Sequence, residues 1–148
     1  HLAASLGVFW DREFVAPNLG RTAEDVRPNG MILGYPVISS GKFAHIDSIN
    51  NVLLDRRTDE TWALMSLEKQ VTASTAPAFI WHTVADDAVP VENSLMMASA
   101  LRENGVPFAL HITPDGCHGL SLAQAETGMI EEQLNDWPTW CAAWIRSR

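Results

Sequence analysis

Residues 78–119 constrain the fold more than any other stretch. Ala78-Phe79-Ile80-Trp81-His82-Thr83-Val84 is a short, mostly apolar run of β-forming residues and predicts a buried strand. It enters Ala85-Asp86-Asp87-Ala88-Val89-Pro90, a polar turn whose proline suits a helix start. Over 91–104, Val91, Leu95, Ala98 and Leu101 recur at helical spacing, with Glu92, Asn93, Ser99, Arg102, Glu103 and Asn104 mostly on the other side. Gly105 is a natural stop. Phe108-Ala109-Leu110-His111-Ile112-Thr113 predicts a second strand, and Pro114-Asp115-Gly116-Cys117-His118-Gly119 a glycine-rich turn.

The lengths of these pieces carry a geometric consequence. A helix of about 14 residues climbs roughly 21 Å, and a strand of about 6 residues returns roughly 20 Å. The loops after the two strands therefore leave the same edge of one parallel, right-handed strand–helix–strand unit. Asp86 or Asp87 and His118 arrive together at the carboxyl edge, where open α/β sheets bind ligands. There a carboxylate can orient an imidazole and stabilise its cation, making the ring a general base. An aspartate before a helix is also a common turn former or N-cap, and Asp87 is read as the cap of helix 91–104.

The rest of the chain supplies cover. Leu2, Leu6 and Phe9 share one face of an uncapped helix over 1–9. Residues 11–29, punctuated by Pro17, Gly20 and Pro28, read as a surface loop. Met31–Ile38 is a third buried strand, bent or ended at Pro36. Residues 39–57 are irregular, and Asp59 is expected to cap a helix over 60–69 with Trp62, Leu64 and Met65 inward. A short helix and loop are expected over 119–128. Trp137, Trp140, Cys141, Trp144 and Ile145 fall at i, i+3, i+4, i+7 and i+8 and predict a core-facing last helix.

The 148 residues are read as one domain-sized unit. Three parallel strands with flanking helices make a small sheet with an open edge, so the unit reads as an incomplete α/β domain that another chain, or further strands of its own, would complete. The net charge of −8 excludes the basic face that nucleic acid or an anionic membrane rewards. No apolar run reaches membrane-spanning length. Two cysteines, Cys117 and Cys141, favour reduced thiols over a disulfide framework, and the expected compartment is the cytoplasm.

These residues resemble the carboxyl-terminal half of an α/β-hydrolase-fold esterase, nearest the acetylxylan-esterase and feruloyl-esterase-like group. His1-Leu2-Ala3 looks like the helix directly after a nucleophile elbow of the form Gly-x-Ser-Ala-Gly-Gly-His-Leu-Ala. Trp81 to Ser94 looks like the acid loop, Pro114 to Leu122 like the histidine loop, and Met31 to Gly41 like the strand between nucleophile and acid. The resemblance implies Asp86 as catalytic acid, with Asp87 the alternative, and His118 as base, in the family order Ser…Asp…His. It also implies a small-molecule ester substrate and no cofactor. No serine of this sequence lies in Gly-x-Ser-x-Gly, so the nucleophile is expected upstream of His1 and the isolated chain is expected to be inactive.

Other candidates take plainer readings. His82 and His111 lie in strands and read as satisfied core histidines, and His45 lies in a loop without a nameable partner. Cys117 adjoins His118, but adjacent side chains on an extended segment point apart. Ser39-Ser40-Gly41 lacks the glycine that precedes a nucleophilic serine and reads as a turn or pocket wall. Asp86, Asp87 and His118 offer too few ligands for a closed zinc site. Beside the esterase stand two other readings: a prolyl-oligopeptidase-type serine peptidase, whose last segment has a similar acid-then-histidine layout, and a non-catalytic assembly module.

Overall fold

The computed structural model describes residues 1–125 and 130–148. Its strands are β1 (Met31–Gly34), β2 (Ala78–Thr83) and β3 (Phe108–Thr113). They form one parallel sheet in the order β1-β2-β3. Among the helices, α1 is Leu2–Phe9, α2 Ala23–Val26, α3 Ile46–Leu53, α4 Asp59–Leu64, α5 Glu92–Glu103 and α6 Trp137–Arg146. β2 and β3 pair in register end to end, from Ala78 opposite Phe108 to Thr83 opposite Thr113. That register is the outcome expected when the climb of α5 and the return of β3 cancel.

Strand alternation divides the core. Met31, Leu33, Ala78, Ile80, Phe108 and Leu110 face α1 and α5. Phe79, Trp81 and Ala109 face the tryptophans of α6. All six residues of β2 are buried, as suits a central parallel strand covered on both faces. The stripe of α6 docks as expected: Cys141 is buried, Trp137 stacks on Trp81 at 5.3 Å, Trp140 on His111 at 4.9 Å, and Trp144 lies 6.0 Å from Phe79. Ile145, at the end of the stripe, is exposed.

Several elements differ from the expectation. β1 ends at Gly34, four residues early. A Cβ at Gly34 would sit 3.0 Å from the Trp81 ring, and Tyr35 then takes a left-handed φ of 37°, so the chain turns out of the sheet before Pro36. α3 lies within the segment read as irregular. Ile46, Ile49, Val52 and Leu53 recur in it at helical spacing, a signal the reading passed over, and Ile49 and Leu53 are the buried ones. The loop over 11–29 contains α2, four residues held by a reciprocal Thr22–Asp25 capping box. Thr58, not Asp59, caps α4, because the Thr58 and Thr61 side chains bond each other's backbone amides. The helix expected over 60–69 stops at Leu64, and Leu67–Lys69 is a separate 3-10 turn.

Two helical faces are also rotated from the reading. In α1 the inward residues are Ala4, Gly7, Val8 and Phe9, while Leu2 and Leu6 are exposed. In α5 Asn93 and Ser94 are fully buried and Leu95 is exposed. Over 119–124 the chain runs in turns, with Leu120 and Ala123 buried; the remainder of the helix and loop expected over 119–128 reaches residues outside the described ones. Among the described residues, no helix is long and apolar enough to cross a membrane.

Candidate active site

The acid loop and the histidine loop leave adjacent strands side by side. The Val84 amide donates to the Thr113 carbonyl at 2.8 Å, and the Ala85 amide to that of Pro114 at 3.0 Å. The Thr83 hydroxyl donates to the Gly116 carbonyl at 2.7 Å, fixing the histidine loop to the end of β2. Gly116 needs its residue type twice over. Its φ is 121°, and a Cβ there would meet Leu120 at 2.6 Å.

Asp86 and His118 meet at this rim. His118 Nδ1–H donates to Asp86 Oδ2 at 2.7 Å. The carboxylate only accepts, so Nδ1 carries the ring proton and the neutral ring leaves Nε2 with a lone pair. The Asp86 side chain is 1% exposed and that of His118 35%. The acid is buried and the ring that it orients remains reachable. Asp86 Oδ1 accepts the Ala88 amide at 3.0 Å and the Val89 amide at 2.9 Å. Burial opposes ionisation of Asp86. The Val89 amide, His118 and the Ala88 amide together outweigh it and hold the carboxyl below its ordinary value. Tyr35 packs against the His118 ring, edge-on to it at 4.8 Å and to Trp81 at 4.7 Å.

Other candidates fall outside this pair. Asp87 is exposed, and it does not cap α5, whose first turn has no side-chain cap. Ser39 and Ser40 are buried in a turn and committed elsewhere: Ser39 Oγ donates to Glu68 at 2.9 Å, and Ser40 Oγ to the Trp62 carbonyl at 2.6 Å. His45 has a partner after all, Ser48 Oγ at 2.8 Å from Nδ1. His111 is half-buried between the Phe79 and Trp140 rings instead of hydrogen-bonded in the core. Cys117 is exposed. A cavity of about 640 Å³ lined by Trp10, Arg27, Ala76 and Pro107 opens at the amino ends of the strands, opposite the rim that carries Asp86 and His118.

The sequence reading missed the role of His82 in this cluster. Its imidazole is fully buried, with Nε2 at 3.1 Å from Asp86 Oδ2 and 3.0 Å from the Val89 carbonyl, and Nδ1 at 2.7 Å from Ser94 Oγ. The available signal was a histidine closing a buried strand four residues before the acid, with a serine on the inward side of the next helix. Burial pushes the His82 imidazole below its ordinary value, although the Val89 carbonyl and Asp86 pull the other way.

Both shifts predict acid sensitivity of the fold. Unfolding raises the His82 imidazole to its ordinary value of 6.5, so the unfolded chain binds more protons as pH falls through that value. Stability should fall from there by up to about 1.4 kcal/mol per pH unit for that one proton. Asp86 contributes in the same sense lower down, its share being present above 3.8 and lost as pH drops through the folded value. Urea midpoints measured between about pH 7 and 5 should decline, and less steeply in a His82→Gln variant. Equal slopes would remove His82 from the account.

Comparison with known proteins adds to this geometry. A model of the Prolyl oligopeptidase family matches residues 45–144. The chain belongs to that family. The match contains α5, all of β2 and β3, and both loops that carry the Asp86–His118 pair.

Solved structures that this chain resembles include ester hydrolases. The chain superposes on an acetyl ester-xyloside bifunctional hydrolase from Caldicellulosiruptor lactoaceticus with a TM-score of 0.83 and 37% identity, over 99% of this chain and 52% of that one. It superposes on a carboxylesterase from Lactobacillus plantarum with a TM-score of 0.75 and 28% identity, over 99% of this chain and 54% of that one. It is also 46% identical over 127 residues to endo-1,4-beta-xylanase B of Butyrivibrio fibrisolvens, covering 85% of this chain and 20% of that protein. The chain thus spans about half the length of the similar structures and a fifth of the xylanase. The fold is that of α/β-hydrolases, with three parallel strands of an open sheet and their flanking helices.

Proposed function

We propose that this chain supplies the acid and the base of a serine carboxylesterase acting on a small ester, with acetylated xylo-saccharides as the preferred substrate class. Asp86 is the acid and His118 the base; Asp87 takes neither role. The observation that carries the reading is the 2.7 Å bond from His118 Nδ1–H to a buried, fully hydrogen-bonded carboxylate, which leaves Nε2 as the basic nitrogen.

The steps follow from that geometry. His118 Nε2 takes the hydroxyl proton of a serine as it attacks the ester carbonyl, and the resulting imidazolium is stabilised by Asp86. The proton then passes to the departing alcohol oxygen, leaving an acyl-serine. Water, deprotonated by the same nitrogen, releases the acid and restores the serine. The serine is supplied from outside this sequence, by chain that continues the sheet beyond the free edge of β1. This rests on β1 standing at the edge of the sheet among the described residues, and on the chain spanning about half of each similar structure. Serine-directed labelling should mark no serine among residues 1–148.

Two similar proteins favour xylan: one is an acetyl ester-xyloside bifunctional hydrolase, the other a xylanase. Family membership itself also supports a second reading, a serine peptidase cleaving proline-linked amides. The two separate in one assay of the natural polypeptide that carries these residues. Acetate release from acetylated xylo-oligosaccharides, with a proline-linked peptide amide left intact, is the expected result. Cleavage of the peptide amide without acetate release would overturn the esterase reading.

A further inference from the structure

We infer that His82 is a positioning residue for the acid: its Nε2–H holds the Asp86 oxygen that also receives His118, and the Ser94 hydroxyl fixes the tautomer that makes this possible. The inference rests on reading Asp86 and His118 as the acid–base pair.

Hydrogen-bond chemistry assigns each proton. His82 Nε2 lies near two groups that only accept, Asp86 Oδ2 at 3.1 Å and the Val89 carbonyl at 3.0 Å, so Nε2 carries the hydrogen. Nδ1 is then the bare nitrogen of a neutral ring, and Ser94 Oγ–H donates to it at 2.7 Å. Burial, which disfavours the imidazolium, agrees with a neutral ring. The titratable groups acting on this ring are Asp86 and His118.

The carboxylate is thereby pinned at both ends. The Ala88 and Val89 amides hold Oδ1, while His82 and His118 share Oδ2. Without His82, only the partly exposed His118 would hold Oδ2, and the carboxyl plane would be free to rock about the Oδ1 contacts. The His82 donor also withdraws charge from Oδ2. It therefore tempers how strongly Asp86 stabilises a protonated His118. A leucine of similar bulk could fill the space; what it lacks is the donor. A buried imidazole with three polar contacts is costly to build if space-filling is its whole role.

The test uses the natural polypeptide that carries these residues, with p-nitrophenyl acetate as substrate. His82→Leu should lower kcat about 10- to 100-fold with KM changed less than about twofold, since the ester does not touch His82. The acidic limb of its kcat/KM profile, which reports the free enzyme's base, should move to higher pH by about half a unit, because Oδ2 regains charge. His82→Gln places an amide N–H near the same point and should bring kcat to within about threefold of native and return the limb. A purely space-filling role would leave the limb in place and would be rescued no better by glutamine than by leucine, and that pattern overturns the inference. If His82→Leu does not fold, Ser94→Ala decides: a lower kcat supports the inference, and a native kcat with a native limb overturns it. In the native protein, ¹⁵N-histidine spectra should show His82 protonated at Nε2 and bare at Nδ1; the opposite tautomer overturns it too. His118→Ala serves as the control. Native turnover by His118→Ala removes the acid–base pair itself, whereas an inactive His118→Ala beside an unaltered His82→Leu removes the positioning role alone.

Discussion

Asp86→Asn is expected to lower kcat for ester hydrolysis by about 10³- to 10⁴-fold while leaving the fold in place. The substitution is nearly isosteric, and its effect lies in which atoms donate. The Ala88 and Val89 amides point at Oδ1 and require an acceptor there. The asparagine amide therefore turns its oxygen toward them and its NH2 toward the former Oδ2 position. That NH2 faces His118 Nδ1, now a donor opposite a donor. The imidazole relieves the clash by moving its proton to Nε2, the nitrogen that must be bare to accept the serine proton. His82 Nε2–H loses its carboxylate partner in the same exchange but keeps the Val89 carbonyl. KM should change little, and the acidic limb of the pH profile should lose its native position. Measured kcat within about tenfold of native would mean that Asp86 does not set the tautomer of His118. Asp87→Asn is the matched control, since Asp87 is exposed and outside the pair, and its kcat should match native.

The rim was legible because lengths alone decide it. A helix and a strand of these sizes must return the chain to its starting edge, so Asp86 and His118 could be placed together without any side-chain detail. Hydrophobic period located β2, α5, β3 and α6, whose apolar residues pack into the two core clusters. Period failed where burial is thin. α2 hides no side chain and leaves no apolar rhythm, whereas α3 carries one over only two turns, Ile46 to Leu53, inside a polar stretch. It also failed where polar groups do the work of the core. Asn93 read as solvent-facing because it is polar, yet it and Ser94 are fully buried, each satisfied by a specific partner. His82 belongs to the same class. A polar residue on an inward face cannot be told from one on an outward face until its partners are placed, and here they lie in other elements: β2 for Ser94, the turn after β1 for Asn93.

Asn93→Ala is expected to cost about 3–4 kcal/mol of stability, the largest loss from a single surface-like residue in this chain. The side-chain oxygen of Asn93 accepts the amides of Ile38 and Ser39, both at 2.9 Å. Its NH2 donates to the carbonyls of Phe43 at 2.9 Å and Pro90 at 3.0 Å. One fully buried amide thus ties the turn after β1 to the start of α5, immediately beyond the acid loop. Truncation leaves four backbone groups without that partner in a site with little access to water. Asn93→Asp separates the two halves of the contact. It keeps an acceptor for the two amides but sets a carboxylate against the Phe43 and Pro90 carbonyls, so the folded state resists ionisation and raises the carboxyl above its unfolded value. The unfolded chain then binds fewer protons across that window, and stability falls as pH rises through it. Asn93→Asp should recover stability relative to Asn93→Ala as pH drops toward about 4, where a protonated carboxyl can donate to one carbonyl. Urea unfolding of both variants at two pH values reads this directly. A cost for Asn93→Ala below about 1 kcal/mol would show that the turn after β1 is held by its other contacts, and parallel pH curves for the two variants would show that the NH2 contacts are dispensable.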